Sequence, residues 1–159
     1  MALKLEDSFQ INCSILQLNT ALKNTKFHEE RYKKDNLEKI TITNTTYSTF
    51  EITSLFNFDI PASAQALISN PVTITESWEI TPNHEIKVQI NIAKAQTKIA
   101  VNFLIIEAEQ MLNIEIKSKI ESRIFLMASY VEEFVAKYWK QKVKDDLQAL
   151  STWIESNQT

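Results

Sequence analysis

The chain reads as an α+β fold in which a curved antiparallel sheet with one wet face wraps a single long C-terminal helix. Three observations predict it. Several segments between residues 37 and 120 alternate apolar and polar side chains with period two. The polar breaks between the later segments are short, as hairpin connections of a meander require. From about Leu126 the apolar spacing changes to three and four and holds to the end of the chain. With 159 residues the chain is of single-domain size and buries roughly two-thirds of its unfolded surface. No linker, repeat or composition break divides it, so residues 1–159 read as one domain.

The elements follow in order. Leu5, Phe9 and Ile11 suggest a first strand. Ile15, Leu16, Leu18 and Leu22 suggest a short helix capped by Asn12 or Ser14, and 27–36 a second. Leu37 to Thr43 supplies a strand that turns at Asn44-Thr45 into another, whose even positions Phe50, Ile52, Phe56, Phe58 and Ile60 are apolar. The pattern repeats in Val72, Ile74, Trp78 and Ile80, then in Ile86, Val88, Ile90 and Ile92. It returns in Ile99, Val101, Phe103 and Ile105 and ends with Leu112, Ile114, Ile116 and Ile120, which makes about six to seven strands in all. Pro82-Asn83 and Lys94-Ala95-Gln96 mark hairpin connections. Met127, Val131, Phe134, Val135 and Tyr138, continued by Val143, Leu147, Leu150 and Ile154, define one helix of roughly 30 residues, on the order of 45 Å long. A helix of that length must lie across the sheet.

Composition excludes several classes. Glycine is absent, which removes glycine-rich phosphate loops and leaves tight turns to Asn, Asp, Ser or Pro, with any sheet bulge expected at Asn, Ser or Ala. Lys plus Arg is 17 against Asp plus Glu 20, a net charge of -3, which argues against a nucleic-acid partner. Cys13 is the single cysteine, so no internal disulfide forms and a reducing compartment fits. The N-terminus meets acidic residues at once and reads as no secretory signal, and the longest apolar runs, such as Phe103-Leu104-Ile105-Ile106, are too short for a membrane span. A soluble cytoplasmic protein is expected. His28 and His84 have no metal-ligand spacing, Cys13 and Ser14 lack a nucleophile-elbow context, and no cofactor is expected.

Glu76 breaks the pattern. By alternation it shares the apolar face of Val72, Ile74, Trp78 and Ile80, where an unpaired carboxylate is costly and its pKa rises. Either it lines a cavity, as ligand partner or general acid or base, or it meets a buried partner, or a bulge turns it to water. Ser54 and Ser118 also fall on apolar faces, and with Glu76 they form one polar spot or else bond their own backbone. Phe50, Phe56, Phe58, Trp78 and Phe103, with Phe134 and Tyr138 of the helix, face the interior as core or as pocket wall. The lysines at 137, 140, 142 and 144, set beside Trp139 and balanced by Glu132, Glu133, Asp145 and Asp146, read as a solvated helix face.

This order of elements resembles the START-like (helix-grip, SRPBCC) superfamily over essentially the whole chain. Within it, Glu76-Ser77-Trp78 is similar to the Glu-x-Trp of the bacterial domain of unknown function 2505 family. The segment from Ile124 through Phe125, Leu126, Met127, Ala128, Ser129, Tyr130 and Val131 to Glu132 resembles that family's apolar-Pro-Leu-Ile-Gly-Gly-Lys-apolar-Glu junction, with Phe125 in place of the Pro and Ala128 and Ser129 in place of the glycines. Trp153-Ile154 resembles its Trp-Leu end. The resemblance implies a cavity between sheet and helix whose candidate ligand-binding residues are Ser54, Phe56, Glu76, Trp78 and Phe103 of the sheet, then Ser118, and Val131, Phe134 and Tyr138 of the helix. The expected function is binding or transport of an apolar small molecule such as a lipid, quinone or polyketide-like compound. The alternatives are a cyclase or hydrolase-type enzyme with Glu76 as acid or base, and a filled-core protein-interaction module. The sequence sets no oligomeric state.

Overall fold

Alternation in sequence becomes alternation in burial. The structure is a computed structural model that describes residues 2–33, 35–43, 46–62, 65–66, 69–124 and 126–157. Its elements are β1 (Leu3–Ile11), α1 (Ile15–Leu22), α2 (Thr25–Arg31), β2 (Leu37–Thr43), β3 (Thr49–Phe56), β4 (Val72–Ile80), β5 (Glu85–Ile92), β6 (Thr97–Ala108), β7 (Met111–Ser122) and α3 (Ala128–Ser156). The strands form one antiparallel seven-stranded sheet in the order β1-β7-β6-β5-β4-β3-β2. A meander thus runs from β2 to β7, and β1 adds itself beside β7. Because β1 and β2 sit on opposite edges, the chain between them, α1 and α2, crosses from one edge to the other.

The inner face is continuous across strands. Ile99, Val101, Phe103 and Ile105 of β6 stand opposite Ile120, Ser118, Ile116 and Ile114 of β7, and all are buried. Fully burying each such aliphatic or aromatic side chain contributes about 1.5–3 kcal/mol. α3 covers this face with Val131, Val135, Val143, Leu147, Leu150 and Ile154 buried. None of the described helices is long and apolar enough to cross a membrane.

Local chemistry sets the short helices. Ser14 caps α1: its hydroxyl accepts the Gln17 N–H at 3.1 Å, and the Gln17 side chain accepts the Ser14 N–H at 2.8 Å, a complete capping box. Asn24 caps α2 by accepting the Lys26 N–H at 2.9 Å.

The structure corrects four expectations. β3 ends at Phe56, short of Ile60, because the backbone of Phe58 is held by a side chain: its N–H donates to Asn70 Oδ1 at 2.9 Å and its carbonyl accepts from Asn70 Nδ2 at 2.7 Å. Among the described residues, those in left-handed backbone are His84 (φ 58°), Gln96 (46°), Gln110 (57°) and Leu126 (65°), instead of Asn, Asp, Ser or Pro. A hairpin as tight as Glu109-Gln110, between the paired residues Ala108 and Met111, demands such a position, and a long side chain that points to water fills it when glycine is absent. The one register shift of the sheet among the described residues falls between Leu37 and Lys39, so the bulged residue is Glu38 and not Asn, Ser or Ala. Finally, Glu132, Trp139 and Lys142 are buried while Lys137, Lys140, Lys144, Glu133 and Asp145 are exposed, so only part of this stretch of α3 is a solvated face. The expected turn at Asn44-Thr45 and the junction residue Phe125 lie outside the described residues.

Left-handed backbone costs an L-residue on the order of 1 kcal/mol, partly offset by the extra unfolded-state entropy of glycine. Gln110→Gly is therefore expected to raise the urea midpoint, by about 0.5 kcal/mol in stability, with an unchanged dependence on denaturant. A lowered midpoint contradicts the assigned backbone at that turn.

Candidate functional site

The site is built where α2, β4 and α3 meet. In α2, His28 and Arg31, followed by Tyr32, recur at three- and four-residue spacing and share one buried face. On α3, Trp139, Lys142, Val143 and Asp146 do the same. Between them Glu76 rises from β4, 1 % exposed.

Arg31 organises the cluster. Its Nη2 donates to both oxygens of Glu76, at 2.7 and 2.9 Å, and to the Tyr32 hydroxyl at 2.5 Å. Its Nε lies 3.2 Å from Asp146 Oδ2, a coulombic pair that is not an aligned hydrogen bond. Its Nη1 sits 3.0 Å from His28 Nδ1. Glu76 also accepts from the Tyr32 hydroxyl and from Trp78 Nε1 at 3.1 Å. Lys142 closes the network, with its Nζ 2.8 Å from Asp146 Oδ1, 3.0 Å from Asp35 Oδ2 and 2.7 Å from the Arg31 carbonyl oxygen.

These contacts set the charges. Burial works against the Glu76 carboxylate, but Arg31 and the Tyr32 hydrogen bond outweigh it and hold the pKa below the usual carboxylate value. Asp146 moves the other way: its burial outweighs Arg31 and Lys142, and its pKa is raised. The difference follows from the donors, since Glu76 receives aligned hydrogen bonds from three side chains and Asp146 shares both its cations. Burial and then Arg31 push His28 down to about 4. A neutral ring with its proton on Nε2 satisfies both neighbours, since Nε2 lies 2.5 Å from the Leu22 carbonyl oxygen and Nδ1 faces the Arg31 donor.

Beside the network lies a small void between sheet and α3, about 40 Å3 in volume. Apolar side chains of β4 to β7, α1 and α3 line it, and its charged groups, Arg31, Glu76 and Asp146, belong to the network. Large rings take up the space. Phe50 and Trp78 stack with centroids 5.5 Å apart, Trp78 and Phe103 lie nearly parallel at 6.4 Å, and Trp139 enters from α3.

The expected site residues divide. Glu76, Trp78 and Phe103 line this void. Phe134 and Tyr138 are half-buried and line a different crevice, near the start of β4. Phe56 is buried against the Tyr32 ring at 4.9 Å, and Val131 is buried near the start of α3. Ser54, Glu76 and Ser118 do not form one polar spot. Ser118 is three strands away from Glu76, where its hydroxyl accepts from Trp139 Nε1 at 2.8 Å. The buried Ser54 hydroxyl has no hydrogen-bond partner among the described residues. Of the readings of Glu76, the structure realises the buried partner, and the sequence reading missed that partner together with Tyr32, His28, Lys142 and Asp146. A usable signal existed: Lys142 and Asp146 are four residues apart and flank Val143 on the face that carries Leu147 and Leu150.

The chain has a START-like, helix-grip fold. The same fold is found in the Zhui aromatase/cyclase from Streptomyces sp. R1128, at TM-score 0.73 and 10% identity over 98% of this chain and 94% of that one. TTHA0849 from Thermus thermophilus has TM-score 0.72 and 9% identity over 99% and 100% of the two chains. Norcoclaurine synthase from Thalictrum flavum has 0.68 and 11% over 100% and 90%. At these identities the likeness is one of fold. The chain belongs to the family described as Protein of unknown function (DUF2505), whose model matches residues 6–154. No curated protein matches the sequence.

Removing one partner of a buried ion pair leaves the other charge uncompensated. Glu76→Leu is expected to cost about 3–5 kcal/mol in urea unfolding, and the double change Glu76→Leu with Arg31→Met clearly less than the sum of the two single changes; additive losses contradict the coupling. A second expectation concerns acid. The unfolded chain protonates His28 near 6.5 and the folded chain only near 4, so the unfolded state binds more protons between these values. Stability carried by the neutral ring is therefore level above about 6.5 and falls as pH drops towards 4. The raised Asp146 acts in the opposite sense, so the His28 part is read as the difference in slope between the native chain and His28→Gln, followed by thermal unfolding from pH 7 to 4. Equal slopes contradict it.

Proposed function

We propose that this protein binds a small apolar molecule between the sheet and α3. The observation that carries this reading is the polarity of the interior void: apolar walls on sheet and helix, with the charged groups gathered into one hydrogen-bonded cluster. Burial of apolar ligand surface, at about 25 cal/mol per Å2, is the driving force such a site offers. Containment is the mechanism. Glu76 is committed to Arg31, Tyr32 and Trp78, so the arrangement lends no support to a general acid or base there or to a carboxylate that orients the ligand.

The void is far below the roughly 300–1,000 Å3 of ordinary ligand pockets, so binding requires the interior to expand. α1 and α2 are the elements that can yield, because they join the sheet edges without strand pairing and are anchored through side chains. A lipid, quinone or polyketide-like compound falls within this chemistry, and a compact one requires the least expansion. The same small volume favours a second reading, a filled core whose functional surface lies outside.

Native mass spectrometry of freshly purified protein, followed by organic extraction, separates the two. A stoichiometric apolar molecule is expected, retained by the native chain and lost in Val143→Phe, which fills the void. Retention by a folded Val143→Phe removes the interior from consideration. Ligand-free protein, with no thermal shift across a panel of lipids and quinones, supports the filled core, since a bound ligand at one hundred times its Kd adds about 2.7 kcal/mol of stability.

A further inference from the structure

An apolar crevice of about 120 Å3 opens where β4 begins, β5 ends and α3 passes over them. Val72, Ile74 and Ile92 form its floor, and the rings of Phe58, Phe134 and Tyr138 its walls. Asp59, exposed to solvent, is the only charged residue in the described lining. Among the described residues it makes no ion pair, and no lysine or arginine lines the crevice. Lys137, next to Tyr138 on α3, is exposed and outside the lining.

The walls are fixed in advance. Phe58 is held at both backbone groups by the Asn70 side chain, stacks on the buried Phe56 at 5.0 Å, and meets Tyr138 edge-to-face at 5.3 Å. Aromatic rings elsewhere in the molecule already carry protein cations: Arg31 lies 4.4 Å and Lys142 4.3 Å from the Tyr32 ring, and Arg31 5.5 Å from Trp78. The rings of the crevice carry none among the described residues.

We propose that this crevice binds an organic cation, an ammonium group carried on a compact apolar body. The rings attract a cation placed within about 6 Å of their centroids, Asp59 supplies the opposite charge, and the aliphatic floor takes the apolar part. An anion would meet Asp59 with no cation in the described lining to balance it. The Tyr138 pKa is raised, by burial first and then by the carboxylates of Asp35, Asp146 and Glu76, with Arg31 opposing them. The crevice shares no lining residue with the interior void, so the proposal is independent of the apolar-ligand reading.

The test is a pair of NMR titrations of isotope-labelled full-length protein at constant ionic strength, with benzyltrimethylammonium chloride and with benzyl alcohol as the neutral probe. The expected result is saturable shifts at the Phe58, Phe134 and Tyr138 rings, with a Kd for the cation roughly tenfold below that for the alcohol. Asp59→Asn, at an exposed position, should weaken the cation about fivefold and leave the alcohol unchanged. Tyr138→Leu should weaken the cation as well. Equal affinity for the two probes, an Asp59→Asn chain that binds the cation undiminished, or shifts confined to other surfaces would each overturn the proposal.

Discussion

The buried guanidinium of Arg31 is the constraint on which the interior depends. A charge 7 % exposed must be neutralised where it stands, which Glu76 from β4 and Asp146 from α3 do, while the neighbouring His28 and Tyr32 accept hydrogen bonds from it. Against a well-packed apolar substitute such a pair returns little net stability. Its effect is positional. Fixed acceptors on β4 and α3 admit one placement of α2 across the mouth of the sheet. Lys142 repeats the device at one remove by bonding the Arg31 carbonyl oxygen, so α3 grips both the backbone and the side chain of the same residue.

That placement explains why the interior is so nearly filled. α2 brings Phe27, His28 and Tyr32 under the sheet, and the His28 ring lies 5.5 Å from both Phe50 and Trp78. Trp139 is drawn down to Ser118 by its indole N–H. Phe27, Trp78, Phe103 and Trp139 therefore crowd the space between the sheet and α3, and the charged cluster stands beside them. Opening that space means moving α2, and moving α2 means separating Arg31 from Glu76 or carrying both. The crevice near the start of α3 shares no lining residue with that space.

The absence of glycine shows how little a fold depends on any one residue type. Left-handed backbone is required at tight hairpins and at the strand-to-helix junction, and His84, Gln96, Gln110 and Leu126 adopt it. Three of the four are polar, and all three are exposed, where the steric cost is met without a buried side chain to misplace. At the junction, Glu132 adds a tie by accepting the Ser122 N–H at 2.8 Å, which gives the Val131-Glu132 end of the family-like segment a structural task.

The order of elements was legible because it rests on local periodicity: period two exposes a strand's buried face, spacing of three and four exposes a helix's, and short polar breaks allow only hairpins. The strands from Val72 to Ser122 and the helix to Ser156 follow from residues adjacent in the chain. Glu76 stood out for the same reason, as a charge at an apolar position. Its partner did not, because Arg31 lies on a helix of seven residues, too short for a pattern to declare which face is buried. The lysines and acids of α3 looked balanced along the helix and so looked solvated. Period and spacing, read from the sequence alone, determined the strands of the meander, the long helix and the apolar face of each. Only the tertiary structure decided whether that face encloses a space or fills it, because pairing of charges and packing of rings depend on groups brought together from distant parts of the chain.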